Sequence, residues 1–326
     1  MTTRIAADVR LRPYAGEPDL AEIVRIGNAE AEADGFPRRE DVSSLAVEFG
    51  HPSDHFDPSR DVTIAEHAGV PVAYQTREWV DTTDGLREYR LDGAVDPAWR
   101  HRGIGAALLE DGERRARDLA AEHVTENPCV LGSWSGDTQV GDAAVLTAAG
   151  FAPARWFFDM TRTGLDNLPD APLPERLEIR PITPDLALSV WRADVEAFRD
   201  HWGGFDGSNE RLQEWLERPT TDLSLWVVAF DGDEVAAGVL NTIDHAENAA
   251  LGMRRGWLSS VFTLRAWRRR GLAQALIVQS MIRLRDRGMS VAVLGVDADN
   301  PSGALGLYER VGFEVSYRST AWRKPF

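Results

Sequence analysis

The chain has 326 residues, of which 43% are hydrophobic and 9% aromatic, and its formal net charge is −16. This length and composition are typical of two packed domains and exclude a disordered chain. The acidic balance argues against a nucleic-acid partner, because phosphate binding needs a basic face; it favours cationic partners or serves solubility alone. The sequence contains no apolar run of eighteen residues and no signal-peptide core. We therefore expect a cytoplasmic protein without a membrane partner.

Three phrases of the sequence occur twice, in the same order. "LRP" at 11–13 returns as "IRP" at 179–181, "AWRHRGIGAALL" at 98–109 as "AWRRRGLAQALI" at 266–277, and "AAGFAPARWFF" at 148–158 is echoed by "RVGFEVSYRST" at 310–320. Spacings of 168, 168 and 162 residues indicate two copies of one fold, since solenoid repeats are far shorter. We predict an N-terminal domain at 1–162, a proline-rich linker at 163–176 and a C-terminal domain at 177–326.

The elements of a copy are clearest in the second one. The pattern predicts a strand at "LEIRP", a helix after Thr183, a shorter helix at "NERLQEWLER", and two strands, "LSLWVVAF" and "EVAAGVLNTI", around a turn. A loop at "TIDHAEN" precedes a third strand, "GWLSSVFTL", which leads into the helix "LAQALIVQSMIRLRDRG". A buried strand, "SVAVLGV", and a last helix within "NPSGALGLYERVGF" follow. This order predicts an α+β unit with one central mixed sheet flanked by helices in each copy.

A strand that ends in Arg268-x-x-Gly271-x-Ala273 and then becomes a helix is typical of a phosphate cradle. Glycine allows a positive φ and a close approach of the ligand to the backbone. The unpaired N–H groups and the dipole of the helix N-terminus then favour an anion such as a pyrophosphate. The alternative is a plain helix N-terminus with a solvated basic patch.

The phrase "RRRGLAQAL" followed by "DNPSGALGLYERVGF" resembles the acetyl-CoA-binding core of the GNAT superfamily of N-acetyltransferases, and the tandem arrangement is similar to that of mycothiol synthase. The resemblance implies two tandem GNAT-fold domains with acetyl-CoA as co-substrate. In the C-terminal copy it implies contacts to acetyl-CoA from Val261, Phe262, Thr263, Arg268, Arg269, Arg270, Gly271, Leu272, Ala273, Gln274 and Asn300. In the N-terminal copy the matching positions are Val95, Arg100, His101, Arg102, Gly103, Ile104, Gly105 and Ala106.

The two copies differ where the chemistry needs an acid. When the late helices are aligned on Gly-Phe, Tyr308 falls opposite Leu146. A departing thiolate needs a proton, which a phenol can supply and a leucine cannot. We therefore predict that the C-terminal domain is catalytic, with Tyr308 as general acid. The first copy either still binds CoA in a structural or regulatory role or holds no ligand.

The general base and the acceptor site are less clearly indicated. "GWLSSVFTL" contains no carboxylate, so Ser259 and Ser260 can only relay a proton through water, and Asp244 and Glu247 are the nearest acidic candidates. By the resemblance, the acceptor contacts the first two helices and their connection. The candidates there are Asp194, Glu196, Asp200, His201 and Trp202. Carboxylates beside tryptophan suit a small cationic amine, but a solvated acidic helix face explains the same residues.

We predict an N-acetyltransferase that moves acetyl from acetyl-CoA to a primary amine of a small molecule. No metal is expected, because the one cluster of histidines and aspartates, at His51 and His55, is better explained as a polar loop. The alternatives are a non-catalytic acyl-CoA-binding sensor and a mycothiol-synthase-like acetyltransferase.

Overall fold

The computed structural model of the protein describes residues 8–199, 201–204, 206–300 and 303–326. The elements of the first half are β1 (Val9–Pro13), α1 (Glu17–Ala33), α2 (Val42–Gly50), α3 (Pro58–Asp61), β2 (Val62–His67), β3 (Val70–Asp81), β4 (Arg87–Val95), α4 (Ile104–Glu122), β5 (Cys129–Gly136), α5 (Val140–Ala148) and β6 (Ala152–Thr163). Those of the second half are β7 (Glu178–Arg180), α6 (Pro184–Phe198), α7 (Asn209–Glu217), β8 (Val227–Asp231), β9 (Glu234–Thr242), α8 (His245–Leu251), β10 (Arg255–Thr263), α9 (Leu272–Asp286), β11 (Val291–Asp297), α10 (Ala304–Arg310) and β12 (Glu314–Pro325).

The chain forms two compact units. Unit 1 comprises 1–156, 203–206 and 319–326, and unit 2 comprises 157–202 and 207–318. The order of elements in the second half repeats that of the first, apart from the short helices α3 and α8. Each unit is therefore one copy of the repeated fold.

Unit 1 contains a mixed sheet in the order β1-β2-β3-β4-β5, completed by the Ser319–Pro325 segment of β12. The pairs β1–β2, β2–β3 and β3–β4 are antiparallel, whereas β4 and β5 are parallel. The apolar stripe of α4 packs on the sheet through Ile104, Leu108 and Leu109, because these residues recur at helical spacing on one face.

Unit 2 has the same plan, with the Phe157–Thr163 segment of β6 followed by β11, β10, β9, β8 and β7. Here β10 and β11 form the parallel pair. Apolar side chains fill both faces of this sheet: Leu276 and Met281 of α9 pack on one face, and Val190 and Ala197 of α6 on the other. Burying a side chain such as Leu276 contributes roughly 1.5–3 kcal/mol to stability.

The units exchange their last strands, which differs from the linear division at 162 and 177. The Phe157–Thr163 segment of β6 pairs with β11 of unit 2, and the Ser319–Pro325 segment of β12 pairs with β5 of unit 1. These strands pair with partners more than 120 residues away, so the order of the chain alone does not indicate the exchange.

The predicted fold class, a mixed sheet flanked by helices in two tandem domains, is confirmed. The prediction of a loop at "TIDHAEN" is wrong, because Asp244 accepts the Glu247 N–H at 2.7 Å and caps helix α8. Every helix in the described part of the chain is too short or too polar to cross a membrane.

Candidate active site

The cradle of unit 2 is a tight turn between β10 and α9. Two left-handed positions, one residue apart, shape it: Arg269 with φ 63° and Gly271 with φ 79°. Gly271 is the N-cap of α9 and brings no side chain to cap it, so the first N–H groups of the helix stay available. Apart from its chain neighbours and the backbone of its own helix, no atom of the described residues lies within 4 Å of the point where a Cβ of Gly271 would stand. The turn is therefore open to an anionic group.

The strands beside this cradle separate from each other. The parallel pairing of β10 and β11 covers only Arg255–Trp257 with Val291–Val293. Beyond it, β10 continues to Thr263 and carries a bulge between Leu258 and Ser260. Beyond Trp257, β10 therefore no longer pairs with β11, and a ligand can add hydrogen bonds to the backbone on that side. Val261, Phe262 and Thr263, the residues predicted to contact the co-substrate, lie in this stretch, and Phe262 buries its ring in the core.

The three arginines of the cradle differ in their contacts. Arg268 donates from Nε to the Thr263 carbonyl at 2.9 Å and from Nη2 to the Ala197 carbonyl at 3.3 Å, so it holds the turn against the end of α6. Arg269 and Arg270 are exposed beside Gly271. They are the arginines of this turn best placed to add charge to a bound phosphate.

Tyr308 lies on α10 and is buried in the core of unit 2. Its ring packs edge-on against Phe313 at 6.2 Å, and Val261 of β10 packs against the same cluster. Burial raises the pKa of Tyr308 to about 12, so the phenol carries its proton at neutral pH. Asn300 stands in the turn between β11 and α10, where its N–H donates to the Asp297 carbonyl at 3.1 Å.

The structure brings together a carboxylate and a hydroxyl that lie 66 residues apart. Ser260 of β10 donates from Oγ to Oδ1 of Asp194 on α6 at 2.6 Å, and both side chains are buried. Burial raises the pKa of Asp194 to about 7, against the opposing effect of the Ser260 hydrogen bond. Asp194 is thus poised to exchange a proton near neutral pH, next to the strand that leads into the cradle.

Asp244 and Glu247, the carboxylates nearest in sequence, have structural contacts. Asp244 caps α8, as described above, and Glu247 forms a buried ion pair with Arg255, with an Oε1 to Nη2 distance of 2.8 Å. Trp257 also donates to Glu247, at 3.3 Å. The contacts of both carboxylates therefore serve the fold, a helix cap for Asp244 and a buried ion pair for Glu247.

The other predicted acceptor residues lie at and after the end of α6. Glu196 is exposed and pairs with Arg199 at 2.8 Å. His201 lies 4.2 Å from the ring of Phe198, and Trp202 lies 6.0 Å from the ring of Phe157. Asp200 lies outside the described residues.

Unit 1 has a cradle of the same shape. His101 and Gly103 have φ values of 62° and 76°, and Gly103 is the N-cap of α4. The parallel pairing of β4 and β5 ends at Arg90 and Gly132, and a cavity of about 370 Å³ opens beyond it. Of the positions predicted from the sequence, those that line it are Val95, Arg100, His101, Gly103, Ile104, Gly105 and Ala106. Arg102 lies apart from these, with its guanidinium 4.3 Å above the ring of Trp99.

The unit 1 cleft also holds carboxylates that the sequence analysis missed. Glu30, Asp92 and Asp142 line the cavity, and oxygens of Glu30, Asp34 and Asp142 lie within 4.8 Å of one another. Glu30, Asp92 and Asp142 come from α1, β4 and α5, and Asp34 directly follows α1. No motif in the sequence links these positions, and only the fold brings them to one cleft.

Comparisons with known proteins agree with this geometry. The sequence profile of the acetyltransferase (GNAT) family matches residues 189–313. A mycothiol acetyltransferase of Thermobifida fusca (strain YX) is 30% identical over 239 residues, which cover 68% of this chain and 70% of that protein. The chain belongs to the GNAT family of acetyltransferases.

Other GNAT proteins resemble this chain over nearly its full length. A mycothiol acetyltransferase of Salinispora arenicola (strain CNS-205) is 26% identical over 314 residues, 96% of this chain and 94% of that protein. A GCN5-related N-acetyltransferase from Sphaerobacter thermophilus superposes with a TM-score of 0.72 at 24% identity, over 99% of this chain and 97% of that one. A tandem GNAT protein from the clavulanic acid biosynthesis pathway gives a TM-score of 0.71 at 16% identity, over 97% and 98% of the two chains. The two structures share the fold.

This GNAT chain is therefore an acetyltransferase, and the predicted family, fold and enzyme class are confirmed. The profile match falls in the second half of the chain and includes Asp194, the cradle and Tyr308.

Proposed function

We propose that unit 2 takes an acetyl group from acetyl-CoA and transfers it to a primary amine of a small molecule. The observation that carries the proposal is the open glycine cradle at Gly271 in the same unit as a buried, protonated phenol at Tyr308. The family profile, which matches within this half of the chain, supports the same choice.

The cradle and the strand beside it supply the binding contacts. The N–H groups at the start of α9 donate hydrogen bonds to the oxygens of a pyrophosphate, and Arg269 and Arg270 add two cations beside the turn. On the side away from β9, the Val261–Thr263 segment can offer backbone groups to the amides of a pantetheine arm, except for the Thr263 carbonyl, which Arg268 holds. Acetyl-CoA supplies a thioester whose carbonyl carbon an amine can attack.

The proton balance assigns one task to Asp194 and one to Tyr308. Transfer forms a nitrogen–carbon bond and breaks the carbon–sulfur bond, while two protons leave the ammonium nitrogen. Asp194, with a pKa of about 7, takes the first of them by way of Ser260 or water and passes it to solvent. The departing sulfur receives a proton from Tyr308, which the second nitrogen proton replaces.

A more specific candidate function also names the acceptor amine. The relatives that match most of this chain are named mycothiol acetyltransferase. Their name supports a mycothiol-synthase-like role, in which the acceptor is the amine whose acetylation gives mycothiol. Glu196, His201 and Trp202 are the proposed contacts of this acceptor, together with Asp194.

The test is a turnover assay of the full chain with acetyl-CoA and a panel of amines that includes deacetylated mycothiol. We expect release of free CoA together with an acetylated amine detected by mass spectrometry. Tyr308→Phe should lower kcat by about 100-fold, the scale of general acid catalysis, and leave KM for acetyl-CoA nearly unchanged. Tyr89→Phe, which removes a buried hydroxyl from unit 1, should leave kcat unchanged.

Two outcomes would contradict the proposal. Tight acetyl-CoA binding without turnover on any amine would favour the acyl-CoA-binding sensor. An unchanged kcat in Tyr308→Phe, under conditions where chemistry limits turnover, would remove Tyr308 from its role.

A further inference from the structure

The cleft of unit 1 is a built cavity with an apolar body. Its volume of about 370 Å³ lies in the range of small-molecule sites, roughly 300–1,000 Å³. One part of the lining is aliphatic: Leu91, Leu108, Leu109, Val145 and Leu146. These side chains suit the hydrocarbon part of a small ligand.

The strand edges of this cleft are already paired by side chains of the chain itself. Glu30 accepts the Val95 N–H of β4 at 3.0 Å, and Asp92 accepts the Trp134 N–H of β5 at 3.1 Å. An extended amide chain laid between the strands needs these same backbone donors. The carboxylates of Glu30 and Asp92 therefore compete with a pantetheine arm for its contacts.

The charge of the cavity also opposes an anionic ligand. Three carboxyl groups line it, Glu30, Asp92 and Asp142. Arg100, which faces them, is held by Asp34 through two contacts of 2.7 and 2.6 Å and lies 3.3 Å from Glu30. Among the described residues no salt bridge is formed to Asp142, on which Arg100 acts only by longer-range attraction.

Positive charge compensates the carboxyl groups of this cleft only in part. Burial is the main cause that raises the pKa of Glu30 to about 7, followed by repulsion from Asp142. It also raises the pKa of Asp142 to about 6, with repulsion from Asp34 as the second cause. A cation placed among these groups would offset the unfavourable free energy of burying their negative charges close together.

The acceptors that face this cavity are its three carboxyl groups. Together they favour a ligand with N–H donors.

We propose that the cleft of unit 1 binds a small organic ammonium ion, with its charge among Glu30, Asp92 and Asp142 and its hydrocarbon part against the aliphatic wall, and that it does not hold acyl-CoA. An ammonium group offers three donors and one positive charge, which matches the acceptors of the cavity. This binding site is separate from the proposed reaction of unit 2 and does not depend on it.

The test is calorimetric titration of the full chain with 2-phenylethylammonium and with the neutral alcohol 2-phenylethanol as matched control. The ammonium should bind at least about tenfold more tightly than the alcohol, the scale of one charge-assisted hydrogen bond. Glu30→Gln and Asp142→Asn, which keep the shape and remove a charge, should each weaken binding by about the same factor. The control variant Asp233→Asn changes a fully exposed turn residue and should leave ammonium binding unchanged.

A further variant distinguishes binding in the cleft of unit 1 from binding at the proposed acceptor site of unit 2. Asp194→Asn should leave the titration unchanged if the ligand sits in unit 1, and loss of binding in this variant would overturn the proposal. Equal affinity for the alcohol, or unchanged ammonium binding in both Glu30→Gln and Asp142→Asn, would overturn it as well. So would displacement of the ammonium by CoA in Gly271→Glu, in which the unit 2 cradle is blocked.

Discussion

The two cradles share their backbone and differ in almost everything that surrounds it. His101 and Gly103 of unit 1 repeat the φ values of Arg269 and Gly271 of unit 2 to within 3°. The turn is set by glycine and by the strand and helix that it joins, so both copies keep it. Its presence in a GNAT unit therefore indicates an inherited backbone, and the side chains around it decide what the unit can bind.

The side chains of the two units point to different chemistry. Leu146 of unit 1 lies where unit 2 has Tyr308, and Asp92 lies where unit 2 has Ser260. In unit 2 the carboxylate approaches Ser260 from α6 and leaves the strand edge available, whereas in unit 1 Asp92 occupies the edge of β5 itself. One unit keeps its cleft available for an extended ligand, and the other fills the same positions with acidic groups.

The largest expected effect comes from placing the same anion in each cradle. Gly271→Glu puts a carboxylate at the position proposed for the pyrophosphate. A like charge about 4 Å away costs roughly 4 kcal/mol at an effective dielectric constant of about 20, or about a thousandfold in affinity. Gly103→Glu creates the same backbone strain, since its φ is equally positive, and should leave turnover nearly unchanged. Turnover is to be measured at subsaturating acetyl-CoA. Loss of activity in a folded Gly103→Glu, with activity kept in Gly271→Glu, would reverse the assignment of the units.

A smaller effect is expected on the pH dependence of turnover. Burial raises the pKa of both Asp194 and Asp92 to about 7, and only Asp194 is proposed to act as the base. A base must be deprotonated to act, so kcat/KM should rise with pH through about 7 in the wild type. Asp194→Asn should lower kcat/KM at pH 8 by about 100-fold and abolish this rise. Asp92→Asn should retain the rise of kcat/KM with pH. A pH profile that loses its rise in Asp92→Asn but not in Asp194→Asn would place the base in unit 1.

The smallest effect is a shift in stability with pH. The folded pKa of Asp92 is raised by burial first and by repulsion from Glu78 second, so the folded state binds a proton that the unfolded state has lost. The stability contributed by this group is present below about pH 4 and is lost as pH rises to about 7. Asp92→Asn removes the loss, so its melting temperature relative to wild type should be higher by a few degrees at pH 8 than at pH 4.5. An equal difference at both pH values would contradict the raised pKa.

Much of the fold could be predicted because its signals are local. Fewer than twenty consecutive residues are enough to recognise the glycine turn, the amphipathic helix after it or the apolar run of β11. The repetition of these patterns indicates two copies. The exchange of β6 and β12 could not be predicted from the sequence, because it depends on which distant strand each segment pairs with. Helix α8 was missed because its seven residues are too few for a periodic pattern.

The candidate site was predicted in the same uneven way. Tyr308 and the cradle belong to a continuous motif and could be named from it. The contact of Asp194 with Ser260, and that of Glu30 with Val95, join residues 66 and 65 positions apart. Sequence proximity instead favoured Asp244 and Glu247, whose helix cap and ion pair only the folded chain reveals.

We propose that unit 2 holds the co-substrate and that unit 1 does not. Calorimetric titration of the full chain with CoA measures this most directly, as the number of sites per chain. We expect one site per chain, which is lost in Gly271→Glu and retained in Gly103→Glu. Two sites per chain, or a single site that survives Gly271→Glu, would contradict it.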